Sequence, residues 1–257
     1  MKHFWLLLTG LFFTAALAAQ NAAADSAFVR DNFDKREVMI PMRDGIQLFT
    51  AIYTPKDRSK KYPILMKRTP YSCSPYGTAS YPTTFQNMNL ARAGYIFVFQ
   101  DVRGKYMSEG DFVDVRPYNP ATAKKPKTNG KVPIDEASDT YDTVDWLLKN
   151  ASGNNGNVGV YGISYPGFYA TMAVMAGHPA IKAVSPQAPV TDWFVGDDFH
   201  HNGALMLMDA FSFYSGFGKP RPKPTTQSSD GFSDWKTPDN YDFFLRAGAL
   251  RNYAEKF

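Results

Sequence analysis

Ser164 stands two residues after Gly162 and three before Gly167, within Asn157-Val158-Gly159-Val160-Tyr161-Gly162-Ile163-Ser164-Tyr165-Pro166-Gly167-Phe168. The hexapeptide from Gly162 to Gly167 follows the G-x-S-x-G pattern, with one more residue, Pro166, ahead of its second glycine. Such a serine becomes a nucleophile when a strained turn between a strand and a helix lifts its hydroxyl clear of the sheet. The neighbours must be small, because strand and helix pack closely around that turn. The first backbone N–H of the helix, here that of Tyr165, then points at negative charge developing on a carbonyl oxygen. The chemistry on offer is acyl transfer: attack by Ser164, a covalent acyl-enzyme, then hydrolysis.

A serine of this kind needs a general base, and in α/β-hydrolases the order along the chain is Ser, then Asp or Glu, then His. The sequence holds four histidines. His3 lies in the N-terminal apolar segment. His178 precedes Pro179 at the far end of the helix that Ser164 opens, and reads as a helix-terminal residue. His200 and His201 follow Asp197 and Asp198 and satisfy the order nominally, but acid and base normally come from separate loops after later strands. The triad Asp and His are therefore expected beyond Phe257, in a longer enzyme of which this chain is an N-terminal portion. The chain alone is expected to be inactive. Asp197, Asp198, His200 and His201 make a poor metal site, since adjacent ligands seldom reach one ion and no H-E-x-x-H spacing occurs. No metal or cofactor is expected. Cys73 is the single cysteine; it cannot form an internal disulfide, lacks the companions of a thiol nucleophile, and as a free thiol in an exported protein implies burial or a redox-insensitive setting.

The elements that must position Ser164 are legible around it. Asn157 onward is a β-branched apolar run of strand type, and Phe168 to Ala176 has the length of a helix. Upstream, Glu37 to Met42 and Ile46 to Tyr53 form a hairpin across Asp44-Gly45. Tyr62 to Met66 is a third strand, and Phe85 to Ala93 a helix closed by Gly94. Tyr95 to Phe99 is the longest apolar run of the mature chain and should be a central strand covered on both faces. Residues 105–135 form a long irregular excursion. A helix follows with Asp139 as candidate N-cap and Tyr141, Val144, Leu147 and Leu148 on one face. Asn154-Asn155-Gly156 breaks the chain before the Ser164 strand, and a further strand lies near Ile181 to Ser185. Alternating strands and helices after an antiparallel start give an α/β sheet. With the serine turn this is the α/β-hydrolase fold, a mixed and mostly parallel sheet with a helical cap insertion, incomplete at the C-terminus. The expected domains are a signal peptide at 1–24, the N-terminal part of the hydrolase core at 25–191, starting with a loose arm at 25–34, and a truncated helical cap segment at 192–257. In the cap, 192–217 reads as aromatic-rich and helix-prone, 219–230 as a linker, and 241–253 as a second amphipathic helix.

With 257 residues, 44% of them hydrophobic, the chain can fill one well-packed core, and a net charge of +4 is modest for that length. The one basic cluster, Lys124, Lys125, Lys127 and Lys131, lacks aromatic interleaving and reads as a solvated loop, so no nucleic-acid partner is expected. Lys2 and His3 precede an apolar run from Phe4 to Leu17 with small-residue cleavage sites at Ala16-Leu17-Ala18 and Ala22-Ala23-Ala24. That is a secretory signal, too short to span a membrane. The mature protein is expected to be periplasmic or secreted, and off the membrane once the signal is cleaved.

Arg68-Thr69-Pro70-Tyr71, Gln100-Asp101-Val102-Arg103-Gly104, Asp139 to Leu148, Gly162 to Phe168 and Gly196 to Ala204 together resemble the α-amino-acid ester hydrolases. That group lies within the wider set of cocaine-esterase-like hydrolases and Xaa-Pro dipeptidyl-peptidases. The resemblance covers roughly residues 35 to 257. It implies that Ser164 is the acylated nucleophile, that the Tyr165 backbone N–H supplies one oxyanion donor and that the Tyr71 hydroxyl supplies the other. It implies that Asp198 is one of several acids that bind the α-ammonium of the substrate, against the simpler reading of Asp197 and Asp198 as helix caps. Asp101 and Arg103 are expected to brace the loop beside Tyr71. The substrate would be a small ester, amide or short peptide bearing an α-amino acyl group. Alternatives are an Xaa-Pro dipeptidyl-peptidase and an inactive fragment lacking its triad partners. A homo-oligomer of the full-length protein is compatible with this reading.

Overall fold

The computed structural model describes residues 22–123, 133–219, 221, 223–237 and 239–256. Most of the predicted signal segment and the lysine cluster, Lys124, Lys125, Lys127 and Lys131, lie outside the described residues. Among the described residues no helix is long and apolar enough to cross a membrane.

Strands β1 (Phe33–Pro41) and β2 (Gln47–Pro55) form the predicted hairpin, with Phe33 opposite Pro55 and Pro41 opposite Gln47. Gly45 takes the turn at φ 91°, a conformation glycine adopts without steric cost. Then come β3 (Tyr62–Thr69), α1 (Met88–Ala93), β4 (Ile96–Asp101), α2 (Glu136–Asn150), β5 (Asn154–Ile163), α3 (Tyr165–Ala176) and β6 (Ile181–Gln187). They build one six-stranded sheet in the order β1-β2-β4-β3-β5-β6. β2 pairs antiparallel with β1 and β4, whereas β4–β3, β3–β5 and β5–β6 are parallel. This is the mixed, mostly parallel sheet of the α/β-hydrolase fold.

The central strands show why two apolar faces are needed. On β3 and β4, Ile64, Met66, Ile96 and Val98 are fully buried on one face against Val144 and Leu147 of α2 and Ala170 and Ala173 of α3. Each such side chain contributes about 1.5–3 kcal/mol by leaving water. On the other face Phe97 stacks on Phe85 at 4.3 Å and meets Phe33 edge-on at 6.0 Å. β4 is thus covered on both sides, as its unbroken apolar run requires.

Several boundaries differ from expectation, each for a local reason. Residues 22–32 are helical rather than a loose arm, because Val29 and Phe33 both reach the aromatic face of the sheet and are buried there. α1 starts at Met88, not Phe85: Asn87 caps it through the Asn89 and Leu90 N–H groups, while Phe85 is drawn into the core. α2 starts at Glu136. Its N-cap is Asp135, in a reciprocal capping box with Ser138, and Asp139 lies inside the helix with its carboxylate buried. Asn154, Asn155 and Gly156 belong to β5 instead of breaking before it.

After β6 the chain does not go straight into a helix. The side chain of Asp192 accepts the Phe194 and Val195 N–H groups, and that of Asp197 accepts those of Phe199 and His200. Such local bonds compete with helix formation. A small hairpin follows, β7 (His200–His201) with β8 (Ala204–Leu205), turning at Asn202 (φ 50°) and Gly203 (φ 83°). Asn-Gly is the strongest short hairpin signal, and it stood in the sequence unread. The helix α4 is confined to Leu207–Phe217. The second amphipathic helix is split into α5 (Asn240–Ala247) and α6 (Arg251–Lys256) at Gly248, φ 77°. Phe243, Phe244 and Tyr253 of these helices pack with Phe211 of α4 and with Phe232 and Trp235 into a small separate core.

Candidate active site

β5 runs directly into Ser164, which opens α3 at φ 61° and ψ −125°. A non-glycine residue held there costs about 1–3 kcal/mol and persists only where its surroundings dictate it. Here they do. The Ser164 N–H donates to the Gln187 carbonyl of β6 at 2.9 Å, and the Ser164 carbonyl accepts the N–H groups of Gly167 at 2.8 Å and Phe168 at 3.2 Å. A Cβ on Gly162 would lie 2.0 Å from the Pro166 carbonyl oxygen, and one on Gly167 would lie 2.5 Å from that of Gln187. Both contacts are with backbone, so only glycine fits either place. Ser164 itself is exposed, and its side chain makes no cap bond to the helix. As the first helical residue, Tyr165 has an N–H with no intrahelical acceptor, at the positive end of the helix.

Tyr71 ends the turn after β3, where its N–H donates to Thr69 Oγ1 at 3.0 Å. Its ring meets that of Tyr165 edge-on at 6.2 Å and that of Phe217, the last residue of α4, at 5.7 Å. The two tyrosines that sequence reading paired are therefore side by side, and Tyr165 directly follows Ser164 in the chain. Burial, followed by the charges of Asp198 and Asp114, pushes the Tyr71 phenol up to about 12. It keeps its proton at neutral pH and is a hydrogen-bond donor. A cavity of about 260 Å³ opens beside it, walled by Tyr71, Lys105, Phe217 and Arg221. A larger one, about 950 Å³, lies among Phe211, Trp235 and Phe243 and touches none of Ser164, Tyr71, Tyr165 or Asp198.

The Tyr165 ring is buried, and its hydroxyl donates to Asp114 Oδ1 at 2.6 Å. Burial and then that hydrogen bond hold this phenol far above its ordinary range. The other Asp114 oxygen accepts the Tyr214 hydroxyl of α4 at 2.7 Å. Sequence reading missed Asp114, which sits in the irregular excursion with no motif around it.

Buried polar groups brace the loops that follow β3 and β4. Asp101 is fully buried and accepts the Cys73 N–H at 2.8 Å, the Tyr76 hydroxyl at 2.9 Å and the Met107 N–H at 3.2 Å. Burial raises its carboxyl above the usual range. Arg103 grips Asp139 through two bonds of 2.7 and 3.0 Å and reaches Asp44 at 2.7 Å. Arg68, also buried, bonds Gln100 at 2.8 Å and Glu136 at 3.1 Å and lies over the Tyr169 ring. Arg68 and Arg103 are paired with carboxylates, as charges so buried must be, and Asp101 is held by three donors, so these groups hold the loops together. Cys73 is buried, and desolvation pushes its thiol well up, away from the reactive thiolate.

The acidic pair splits. Asp197 caps the turn that leads into the small hairpin, through bonds of 2.9 and 2.6 Å to the Phe199 and His200 N–H groups, and caps no helix. Asp198 is exposed, and its charge acts on the Tyr71 hydroxyl. His178 is buried at the end of α3. Its Nδ1 accepts the Ala180 N–H at 3.1 Å, so in the neutral ring the proton sits on Nε2, which faces Asp145 at 3.0 Å. Among the described residues no histidine hydrogen-bonds Ser164, and no group of three or more His, Cys, Asp or Glu residues could hold a metal ion.

Residues 44–252 match the family described as X-Pro dipeptidyl-peptidase (S15 family). The cocaine esterase of Rhodococcus sp. (strain MB1 Bresler) is 30% identical over 218 residues, which are 84% of this chain and 33% of that protein. Among solved structures, an α-amino acid ester hydrolase superposes with a TM-score of 0.70 at 38% identity, covering 87% of this chain and 35% of the other. An aminopeptidase from a marine sediment archaeon, Thaumarchaeota archaeon, gives a TM-score of 0.70 at 35% identity with the same coverage, 87% and 35%. The chain spans about a third of the length of these relatives. A six-stranded mixed sheet, a strained serine between β5 and α3, and a family match over most of the sequence agree: the chain belongs to the X-Pro dipeptidyl-peptidase (S15) family.

Proposed function

We propose that this chain carries the nucleophile-bearing part of a serine hydrolase that cleaves an ester or amide through an acyl-enzyme on Ser164. The observation that carries the reading is the exposed, strained Ser164 at the head of α3, with Tyr71 packed on Tyr165 beside it. Ser164 attacks the carbonyl carbon, and the Tyr165 N–H and the Tyr71 hydroxyl take up the negative charge on its oxygen. Two fixed donors of this kind stabilise the tetrahedral intermediate more than the flat substrate, which is what lowers the barrier. The proton of Ser164 must go to a base. No histidine bonded to Ser164 occurs among the described residues, so the reading takes the triad acid and histidine from the part of the relatives' length that this chain does not span. Asp198, whose charge reaches Tyr71, is assigned the α-ammonium of the acyl group. A carboxylate near the acyl-binding pocket would favour an amine on the carbon next to the scissile carbonyl. The preferred substrates are thus small α-amino acyl esters and amides, and the signal segment expected from the sequence supports a periplasmic or secreted enzyme.

Cleavage after an Xaa-Pro dipeptide is the second reading, favoured by the family description. The protein expressed from its whole reading frame separates the two: an α-amino acid ester hydrolysed far faster than an Xaa-Pro anilide supports the first, and the reverse ratio supports the second. A fluorophosphonate probe tests the mechanism itself. Labelling at Ser164 that disappears in S164A is expected for the whole protein, and weak labelling for the 257-residue chain alone. Turnover without any Ser164 adduct would refute the serine mechanism.

A further inference from the structure

Asp114 lies in the irregular stretch after β4, outside every sequence motif, yet it reaches the elbow. One carboxylate oxygen accepts the Tyr165 phenol at 2.6 Å and the other accepts the Tyr214 phenol at 2.7 Å. The next backbone N–H, that of Val115, donates to the same Tyr165 oxygen at 2.7 Å. Val115 holds a φ of 40°, a left-handed conformation that a β-branched residue adopts only under constraint. Tyr165 is therefore fixed at two ends. Its backbone is set by the Ser164 turn, and its phenol is held by a carboxylate and an N–H on a separate segment. Tyr214 belongs to α4, and the last residue of that helix, Phe217, packs on Tyr165 at 5.5 Å and on Tyr71 at 5.7 Å. One side chain thus connects the residue after the nucleophile to the helix that covers it.

We propose that Asp114 is a positioning residue of the acyl-transfer site, which acts through the Tyr165 phenol to fix the peptide unit whose N–H faces the oxyanion. The proposal rests on the serine-hydrolase reading above. Aromatic packing alone would let the Tyr165 ring slide and tilt, whereas short bonds to a carboxylate fix its depth and rotation. An oxyanion donor works only where the oxyanion will be, so a small loss of aim is felt in the transition state and hardly in substrate binding. Tyr214 then registers α4 to the same point, so that the cap and the donor move together.

The test is a double-mutant cycle on the protein expressed from its whole reading frame, with an α-amino acid ester as substrate. D114A should lower kcat about 10- to 100-fold while KM stays within about threefold, the signature of a contact that matters in the transition state. D114N keeps one acceptor oxygen and should recover part of the loss. Y165F keeps the ring and the backbone N–H but removes the phenol, and should lower kcat to a similar degree. Adding D114A to Y165F should then cost less than about twofold more, because both changes break one coupling. Independent, multiplying losses would overturn the proposal, as would a D114A protein with lowered Tm and unchanged kcat. If D114A does not fold, D114N and Y165F form the cycle instead: the partial loss in D114N should largely vanish on the Y165F background, and a loss that multiplies with that of Y165F would overturn the proposal. A wild-type protein in which Ser164 is not acylated would remove the hydrolase reading and this one together. Normal acylation with an unimpaired Y165F would remove this one alone.

Discussion

The serine elbow and the turns after β6 that lead into the small hairpin each carry one polar residue assigned to the proposed site, but they are built on opposite terms. At the elbow, backbone presses on backbone. Added Cβ atoms at Gly162 and Gly167 would lie 2.0 and 2.5 Å from carbonyl oxygens, and α3 behind the turn is buried along most of its length. At the hairpin, a Cβ on Gly203 would meet only the tip of the Phe194 ring at 2.7 Å, and that ring is 67% exposed. Asp198 and its neighbours rest on side-chain turns rather than on a core. On the proposed reading, the rigid turn carries the residue whose position the bond-making step requires. The looser one carries the acid assigned to substrate choice, where a change of loop alters the clientele without disturbing the bond-making step.

The comparison would break first at Gly162. G162A should destabilise the protein by about 3 kcal/mol or more, because no flexible side chain can yield. Thermal unfolding and probe labelling of Ser164 should both show the damage, and a stable, labelled G162A would show the turn to be tolerant. Next, Y71F should lower kcat for an α-amino acid ester about 10²- to 10³-fold with the fold intact, the usual loss for one oxyanion donor. Because the Tyr71 phenol is pushed up to about 12, wild-type kcat should show no loss from its ionisation as pH rises through 10, where an ordinary tyrosine would already have lost half its protons. An alkaline fall near pH 10 that Y71F abolishes would contradict that assignment. D198N should raise KM about tenfold for α-amino esters and leave esters without the amine nearly unchanged. Equal effects on both would strip Asp198 of its role. Smallest is G203A, expected to cost about 1 kcal/mol or less beyond the strain of its φ of 83°, with labelling of Ser164 intact.

How much of this was readable follows from the range of each interaction. The elbow, the central β4 strand and the first hairpin are set by residues close in sequence, and their patterns were plain. Tyr71 and Asp198 were reached by resemblance, not by local pattern: in the fold Tyr71 packs on Tyr165, the residue after Ser164, and the charge of Asp198 acts on the Tyr71 phenol. Asp114 illustrates what stays hidden: its partner Tyr214 is 100 residues away, and nothing near it in sequence marks it. The start of α2 was misplaced for a different reason. Asp135 and Asp139 are both plausible caps, and only the burial of Asp139 against Arg103 decides between them. The stretch from Asp192 to Met206 was read as helical from its aromatic content, while its Asp side chains and Asn202-Gly203 encode turns.

Arg103 joins three parts of the chain that are far apart in sequence: Asp44 in the first hairpin turn, the loop after β4, and Asp139 in α2. A lysine could not replace it, since one ammonium lacks the planar fork that serves two carboxylates at once. Asp139 also lies 3.7 Å from Arg68, whose guanidinium sits over the ring of Tyr169 in α3. A substitution as remote as Asp44, in the first hairpin turn, would therefore loosen Arg103 and be felt, through Asp139 and Arg68, at the helix that Ser164 opens.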